Sequence, residues 1–123
     1  MAVMQSRDTR TEIAGVDLSS AQFKFVTLES DAQVDLANSA GEAVYGVCIV
    51  GAGAGKAVTI VRTGSVLVEA GDVVAAGAAL ATDAAGAAVG AGAGDYIVGY
   101  AKEAGVDGQI IEIELITGGN IVA

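Results

Sequence analysis

Apolar and polar residues alternate with a period of two along much of this chain, and this pattern constrains the fold more than any other feature. The clearest case is the segment 110–116 (IIEIELI), in which Glu112 and Glu114 face one side and apolar residues face the other. Shorter β-branched runs occupy 57–62 and 65–69. A period of two is typical of half-buried strands. The sequence therefore predicts a mainly β fold, with Glu112 and Glu114 on a solvated face.

The segment richest in helix-forming residues, 72–94, is interrupted by glycine. Eleven of its residues are alanine, yet glycines recur within it. Each glycine weakens a helix by about 1 kcal/mol relative to alanine. No apolar stripe recurs at the spacing of a helix face. We therefore expect short strands and turns here, with a tight turn at 83–86, and at most one short helix in the whole chain.

Small residues dominate the composition, and they limit the core. Glycine (18) and alanine (25) fill about a third of the 123 residues. Buried alanine removes little apolar area from water, and area sets the hydrophobic stabilisation at roughly 25 cal/mol per Å². The length fits one domain. We expect a small β-barrel or β-sandwich over residues 21–123 that gains stability as a homo-oligomer.

The first 20 residues differ in character from the rest. Residues 6–12 carry four charged side chains and no apolar one. The segment 1–20 is therefore predicted to be an N-terminal arm. Either it is a frayed terminus, or it becomes ordered on a partner.

Several classes of function lack the residues they need. The chain has no His, one Cys and a net charge of −9. It cannot form a catalytic Ser-His-Asp triad, a histidine metal site or an internal disulfide. Its acidity disfavours nucleic acid, which is bound by neutralising phosphates. No apolar run is long enough for a membrane span. We expect no enzymatic activity, cofactor or metal, and neither a nucleic-acid nor a membrane partner.

Two motifs invite a more specific interpretation. The segment 51–57 (GAGAGKA) approaches a phosphate-binding loop, but Val50 and Ala57 stand where that motif needs Gly and Ser or Thr. We interpret it as a hairpin tip. The segment 66–80 resembles half of a biotinyl or lipoyl carrier domain, but neither Lys56 nor Lys102 has the sequence context of an acceptor lysine.

Four aromatic residues are candidates for an interface between copies of the chain. Phe23 and Phe25 share one face of a predicted strand, and Tyr96 and Tyr100 would share a face if they lay in one strand. Large aromatic side chains serve either a core or an interface. We predict that these four residues contribute to the oligomer interface.

A series of short motifs carries a resemblance to a known group of proteins. The motifs are GEAVYG (41–46), GAALATDAAGAAV (77–89), GDYIVGYA (94–101) and GQIIEIELI (108–116). Over residues 38–117 the chain resembles the small capsid cement, or head-decoration, proteins of tailed bacteriophages. The resemblance implies a structural virion protein on the outer surface of the capsid. Such proteins commonly form trimers and stabilise the expanded head by clamping neighbouring subunits of the major capsid protein.

The resemblance also suggests where the shell would be bound. In several such proteins an N-terminal arm reaches onto the shell, which makes Arg7, Arg10 and Glu12 the expected capsid-binding residues here. Two alternatives stay open at this stage. One is a non-catalytic β-barrel interaction module of other origin, and the other is a biotinyl- or lipoyl-like carrier domain.

Overall fold

The described part of the chain contains nine strands, all in one sheet. The computed structural model describes residues 6–116 and 120–122. The strands in chain order are β1 (Ser6–Ala14), β2 (Lys24–Leu28), β3 (Gln33–Leu36), β4 (Gly46–Val50), β5 (Ala57–Glu69), β6 (Ala79–Thr82), β7 (Ala88–Gly90), β8 (Gly99–Ala101) and β9 (Ile110–Leu115).

The first five strands close into a barrel. They follow one another in the order β1-β3-β2-β4-β5, and β5 pairs with β1 to complete the ring. The β1–β3 contact is parallel and spans two residue pairs, whereas the other four contacts are antiparallel. Closure removes the free edges that an open sheet exposes. The prediction of a small, mainly β domain with a barrel is confirmed.

The remaining strands form a second layer that grows from the end of β5. The sheet continues in the order β5-β9-β8-β6-β7. The runs 57–62 and 65–69, expected as two strands, are one strand of 13 residues that bends at Gly64, where φ is 93°. Gly64 opposes both Ser6 of β1 and Leu115 of β9. Strand β1 therefore pairs with the first part of β5 and β9 with the last part, and the two pairings meet at Gly64.

The bend in β5 creates two apolar cores on the two sides of the barrel wall. Val26, Cys48 and Ile60 belong to the core inside the barrel. Their strand neighbours Phe25, Val47 and Val61 face outward, into the core shared with the second layer. Phe25 and Val26 are both 0 % exposed. Strands β2, β4 and β5 are therefore buried on both faces over these residues, which explains why they read as apolar runs.

The predicted N-terminal arm is corrected over residues 6–14, which form β1. Seven residues of β1 pair with β5, from Ser6 opposite Gly64 to Ile13 opposite Ala57. Ala14 at the end of the strand is fully buried, and Leu18 beyond it also lies in the barrel core. Backbone hydrogen bonds, more than apolar side chains, hold β1 in place. A strand held in this way leaves no hydrophobic alternation in the sequence.

The turns agree with the sequence pattern at two places. Asp83 accepts backbone hydrogen bonds from Ala85 and Ala87 at 2.8 and 2.9 Å, and Gly86 closes this β6–β7 turn with a φ of 80°. The segment 51–56 connects β4 and β5 as the expected hairpin tip. In the described part of the chain there is no α-helix, and the helical conformation is limited to one short 3₁₀ turn, Ser30–Ala32.

Glu112 departs from the solvated position predicted for it. Glu114 is exposed, but Glu112 is 4 % exposed. The Lys102 ammonium donates to the Glu112 carboxylate at 2.9 Å, and the Glu103 carboxylate accepts the Glu112 backbone N–H at 2.9 Å. The β8–β9 connection, which carries Lys102 and Glu103, therefore covers Glu112 but not Glu114. A buried carboxylate needs such partners to offset its lost hydration.

The only cysteine of the sequence is expected to resist modification in the folded chain. Cys48 is 0 % exposed, and burial raises the pKa of its thiol. Because the thiolate is the reactive form, a buried and protonated thiol reacts slowly. We expect a thiol reagent such as DTNB at pH 8 to label the chain at the rate of unfolding, and to label it at once in denaturant. Stoichiometric labelling of the native chain within seconds would contradict the burial of Cys48.

Candidate functional site at the barrel mouth

One end of the barrel opens into a polar cavity of about 330 Å³, which we call the mouth. Strand β2 contributes its last residues, the segment before β4 contributes one wall, and Arg62 of β5 contributes another. The lining residues are Thr27, Leu28, Glu29, Glu42, Ala43, Val44, Tyr45 and Arg62.

Tyr45 is the centre of the mouth. Its hydroxyl donates a short hydrogen bond to the Glu12 carboxylate. The Arg62 guanidinium lies 4.3 Å from the centre of the Tyr45 ring, in cation–π contact. The Arg62 Nε also donates to the backbone oxygen of Tyr45 at 3.0 Å. These contacts hold the Tyr45 side chain between the Glu12 carboxylate and the Arg62 guanidinium.

The strand register places Glu12 and Arg62 on the same face of the barrel wall, and Tyr45 links them. Glu12 of β1 opposes Val58 of β5, whose side chain belongs to the barrel core. Side chains alternate along a strand, so Arg62 projects on the same face as Val58, four residues away. The apolar interior thus ends at the mouth in charged groups.

Arg10 and Asp8 extend the polar cluster along β1. The Arg10 Nε lies 3.1 Å from a carboxylate oxygen of Asp8, with both side chains well exposed. The hydrogen bond to Asp8 raises the pKa of Arg10, and the nearby Tyr45 side chain raises it further. An exposed pair of this kind adds little stability. Its charges are available to a partner at the surface.

The predicted capsid-binding residues are therefore partly assembled in one place. Glu12 accepts a hydrogen bond from the Tyr45 hydroxyl, and Arg10 lies near enough to Tyr45 to affect its pKa. Arg7 lies in β1, and its side chain is outside what the structure describes. Sequence reasoning missed Tyr45 and Arg62 as their partners. The sequence did offer a signal for Arg62, because it is a charged residue on the same face of the run 57–62 as Val58 and Ile60.

The four aromatic residues predicted for an oligomer interface do not form one set. Phe25 is fully buried within the single chain, so it has no surface to offer a second copy. The cause is the second core, which covers the outward face of β2. Phe23 and Tyr96 are half-buried, and Tyr100 is 41 % exposed. Tyr96 bridges to Ile121 outside any strand, whereas Tyr100 lies in β8.

Removing the Tyr45 hydroxyl tests the architecture of the mouth. We expect Tyr45→Phe to cost about 1 kcal/mol of unfolding free energy, the usual contribution of one hydrogen bond. Burial, and next the bond to Glu12, raise the pKa of Tyr45 above its ordinary value of 10.0. The folded chain therefore holds this proton more tightly than the unfolded chain, and the stability it contributes is lost as the pH rises above about 10. Urea titrations at pH 8 and 10.5 should show a smaller alkaline loss in Tyr45→Phe than in the wild type. An equal loss would mean that Tyr45 is not the responsible group.

The described residues offer neither a metal cluster nor a membrane-spanning helix. No three or more Cys, Asp or Glu side chains among them come together in a group that could hold a metal ion. None of the described segments forms a helix long and apolar enough to cross a membrane. The mouth instead presents both signs of charge beside an exposed leucine, Leu28.

The fold is shared with a protein of a bacteriophage head. No protein-family model matches the chain, and no curated protein matches its sequence. A solved structure, the head fiber gp8.5 N base in bacteriophage phi29, superposes with a TM-score of 0.71 at 17 % sequence identity. The match covers 92 % of this chain and 97 % of that one. The likeness establishes a common architecture for nearly the whole chain.

Proposed function

We propose that this chain is a structural protein of a bacteriophage virion, bound to the outer surface of the head. In this role it stabilises the expanded capsid by clamping neighbouring subunits of the major capsid protein. The observation that carries the proposal is the fold, which matches a phage head-fiber base over 92 % of the chain. The motifs in residues 38–117, which resemble those of head-decoration proteins, led to the same expectation from the sequence.

The surface chemistry is compatible with this role. A net charge of −9 keeps a densely covered particle soluble and discourages contact between particles. Repetition over a symmetric shell turns many weak contacts into high avidity. The mouth presents charged side chains of both signs beside the exposed Leu28, which is a surface that a protein partner could contact.

The capsid contact is proposed to lie at the mouth, through Arg10 and Glu12 together with Arg7. Deleting the predicted arm would remove most of β1 and unfold the barrel, so point variants are the sharper test. Arg10 and Asp8 form an exposed pair, so Arg10→Glu should fold normally. Binding of this variant to heads assembled without the chain should weaken at least tenfold. Lys56→Glu, an equal charge change on the hairpin tip, is the control and should bind within twofold of the wild type.

A homotrimer is proposed as the assembled form. A core built largely from alanine and valine gains stability from further burial between copies. Of the aromatic candidates, Phe23, Tyr96 and Tyr100 retain surface for such contacts. Sedimentation equilibrium should give three times the 12.0 kDa chain mass. A single 12.0 kDa species at every concentration would contradict the trimer.

The decisive measurement is the copy number of this chain in purified particles from its source. Peptide counting should give about one copy per major capsid subunit if the chain covers the shell. A count near zero, with the chain free in the lysate, would overturn the proposal and favour the β-barrel interaction module.

One observation keeps a carrier domain as the second candidate. Lys56 is exposed in the β4–β5 hairpin tip, the kind of position an acceptor lysine requires. The intact mass of the chain purified from its source decides between the two. The unmodified mass is expected, and the added mass of a biotinyl or lipoyl group would show a carrier instead.

A further inference from the structure

Two loops of the second layer meet and present a pair of exposed valines, which we call the valine tip. Val74 and Gly105 exchange backbone hydrogen bonds of 2.9 and 3.1 Å, which joins the β5–β6 and β8–β9 connections. Val74 is 4 % exposed and faces the core. In an antiparallel pairing the flanking residues Val73 and Val106 lie next to each other on the opposite, outward face. They are 72 % and 55 % exposed.

The rim of the valine tip is acidic. Asp72 and Asp107 are the immediate sequence neighbours of the two valines, and Glu103 lies on the same loop as Val106. The nearest base on these loops is Lys102, whose ammonium is bound to Glu112 at 2.9 Å. The tip is therefore an apolar pair flanked by two carboxylates, those of Asp72 and Asp107.

Charge complementarity selects the kind of surface that can cover this tip. Two copies meeting tip to tip would bring their carboxylates together, and such like-charge contacts cost several kcal/mol. A surface with an apolar centre and a rim of Lys or Arg would instead pair with the acids while it covers the valines. The occupant is thus a different protein surface with a basic rim.

The mouth lies at one end of β2, and the end of β5 that leads into the valine-tip loop lies at the other. Lys24, at the start of this strand, pairs with Glu69 at 3.6 Å, just before the loop that carries Val73. Leu28, at the end of the strand, lines the mouth. A strand of five residues spans about 13 Å. A clamp needs two separated contact surfaces, and this spacing provides them.

We propose that the valine tip is a second capsid-binding surface, which docks on a basic-rimmed apolar patch of the major capsid protein. The mouth contacts one subunit and the tip its neighbour. This inference rests on the proposed function.

The test measures binding of the full-length chain to purified expanded heads that were assembled without it. The double variant Val73→Asp/Val106→Asp places two charges on exposed positions, so it should fold like the wild type by circular dichroism. We expect its affinity for heads to fall at least tenfold. Val50→Asp is the matched control, because Val50 is 56 % exposed at the end of β4. The control should bind within twofold of the wild type.

A second pair of variants tests the charge of the rim. Asp107→Lys reverses one charge beside the tip, and Glu114→Lys reverses an exposed charge on β9. We expect Asp107→Lys to bind heads at least threefold more weakly than Glu114→Lys at low salt. The difference should shrink as salt screens the charges.

The outcomes separate this inference from the proposed function. Failure of the wild type to bind heads would overturn the proposed function itself. Wild-type binding with an unaffected double valine variant would overturn only the valine tip. Loss of self-association in that variant, with head binding intact, would assign the tip to contacts between copies and would also overturn the inference.

Discussion

Replacing Phe25 by alanine is expected to lower the free energy of unfolding by about 3–5 kcal/mol, the range for a fully buried phenylalanine. Phe25 is the largest of the fully buried side chains and belongs to the core between the barrel wall and the second layer. Most of its neighbours there are alanine, valine and isoleucine. They cannot fill the space that the ring leaves, so a cavity remains. In a core this poor in large residues, the loss is a large share of the usual stability of a small domain.

Urea unfolding at two protein concentrations measures this effect and its origin. A core residue lowers stability equally at both concentrations, whereas an interface residue lowers it in a concentration-dependent way. Phe23→Ala is the matched control, since Phe23 is half-buried and lies two residues away. We expect it to cost less than half as much. If the loss of unfolding free energy in Phe25→Ala disappeared at high protein concentration, Phe25 would belong to the oligomer interface as predicted from the sequence.

Replacing Gly51 by alanine is expected to cost about 1–3 kcal/mol, the range for a substitution that crowds a packed site. Gly51 begins the β4–β5 hairpin tip and lies against the backbone oxygen of Leu18, where a Cβ atom would collide with it. The obstacle is backbone that is held in place, because the Leu18 N–H donates to Ala52 at 2.9 Å and its side chain is buried in the barrel. The clash can be relieved only by moving the tip away from the barrel.

Gly53→Ala supplies the control within the same loop. An added Cβ at Gly53 meets no atom within 4 Å. The substitution should leave stability unchanged or raise it by about 0.4–1 kcal/mol, because alanine restricts the unfolded chain. In thermal melts, the midpoint of Gly51→Ala should therefore lie well below that of the wild type, and the midpoint of Gly53→Ala should lie at or above it. Equal melting temperatures would show that the tip does not rest on Leu18.

Alternation and turn chemistry were enough to predict most of the strands, a hairpin tip at 51–57 and the turn at 83–86. Each of these depends on residues close together in sequence. Glu112 shows the limit of the same reasoning. Period two correctly separated it from Ile111 and Ile113, but the loop that covers it comes from outside its strand. Burial by a distant segment leaves no trace in a local pattern.

The mouth was harder to predict because its members depend on register and closure. Glu12 reaches Tyr45 only after β1 has paired with β5 to complete the barrel. Strand β1 was itself hidden, because its polar side chains reflect a position held mainly by backbone bonds. Phe25 was predicted at an oligomer interface but lies in the core, because both faces of its strand are covered. A strand covered on both faces makes core and interface aromatics look alike in sequence.

The shared wall of the two cores has a consequence for how the chain unfolds. Strands β2, β4 and β5 present one set of side chains to the barrel and the alternate set to the second layer. Detaching that layer would expose Phe25, Val47 and Val61 to water at once. Neither half can therefore melt while the other remains intact. The chain should behave as a single cooperative unit, with one calorimetric transition whose van't Hoff and calorimetric enthalpies agree.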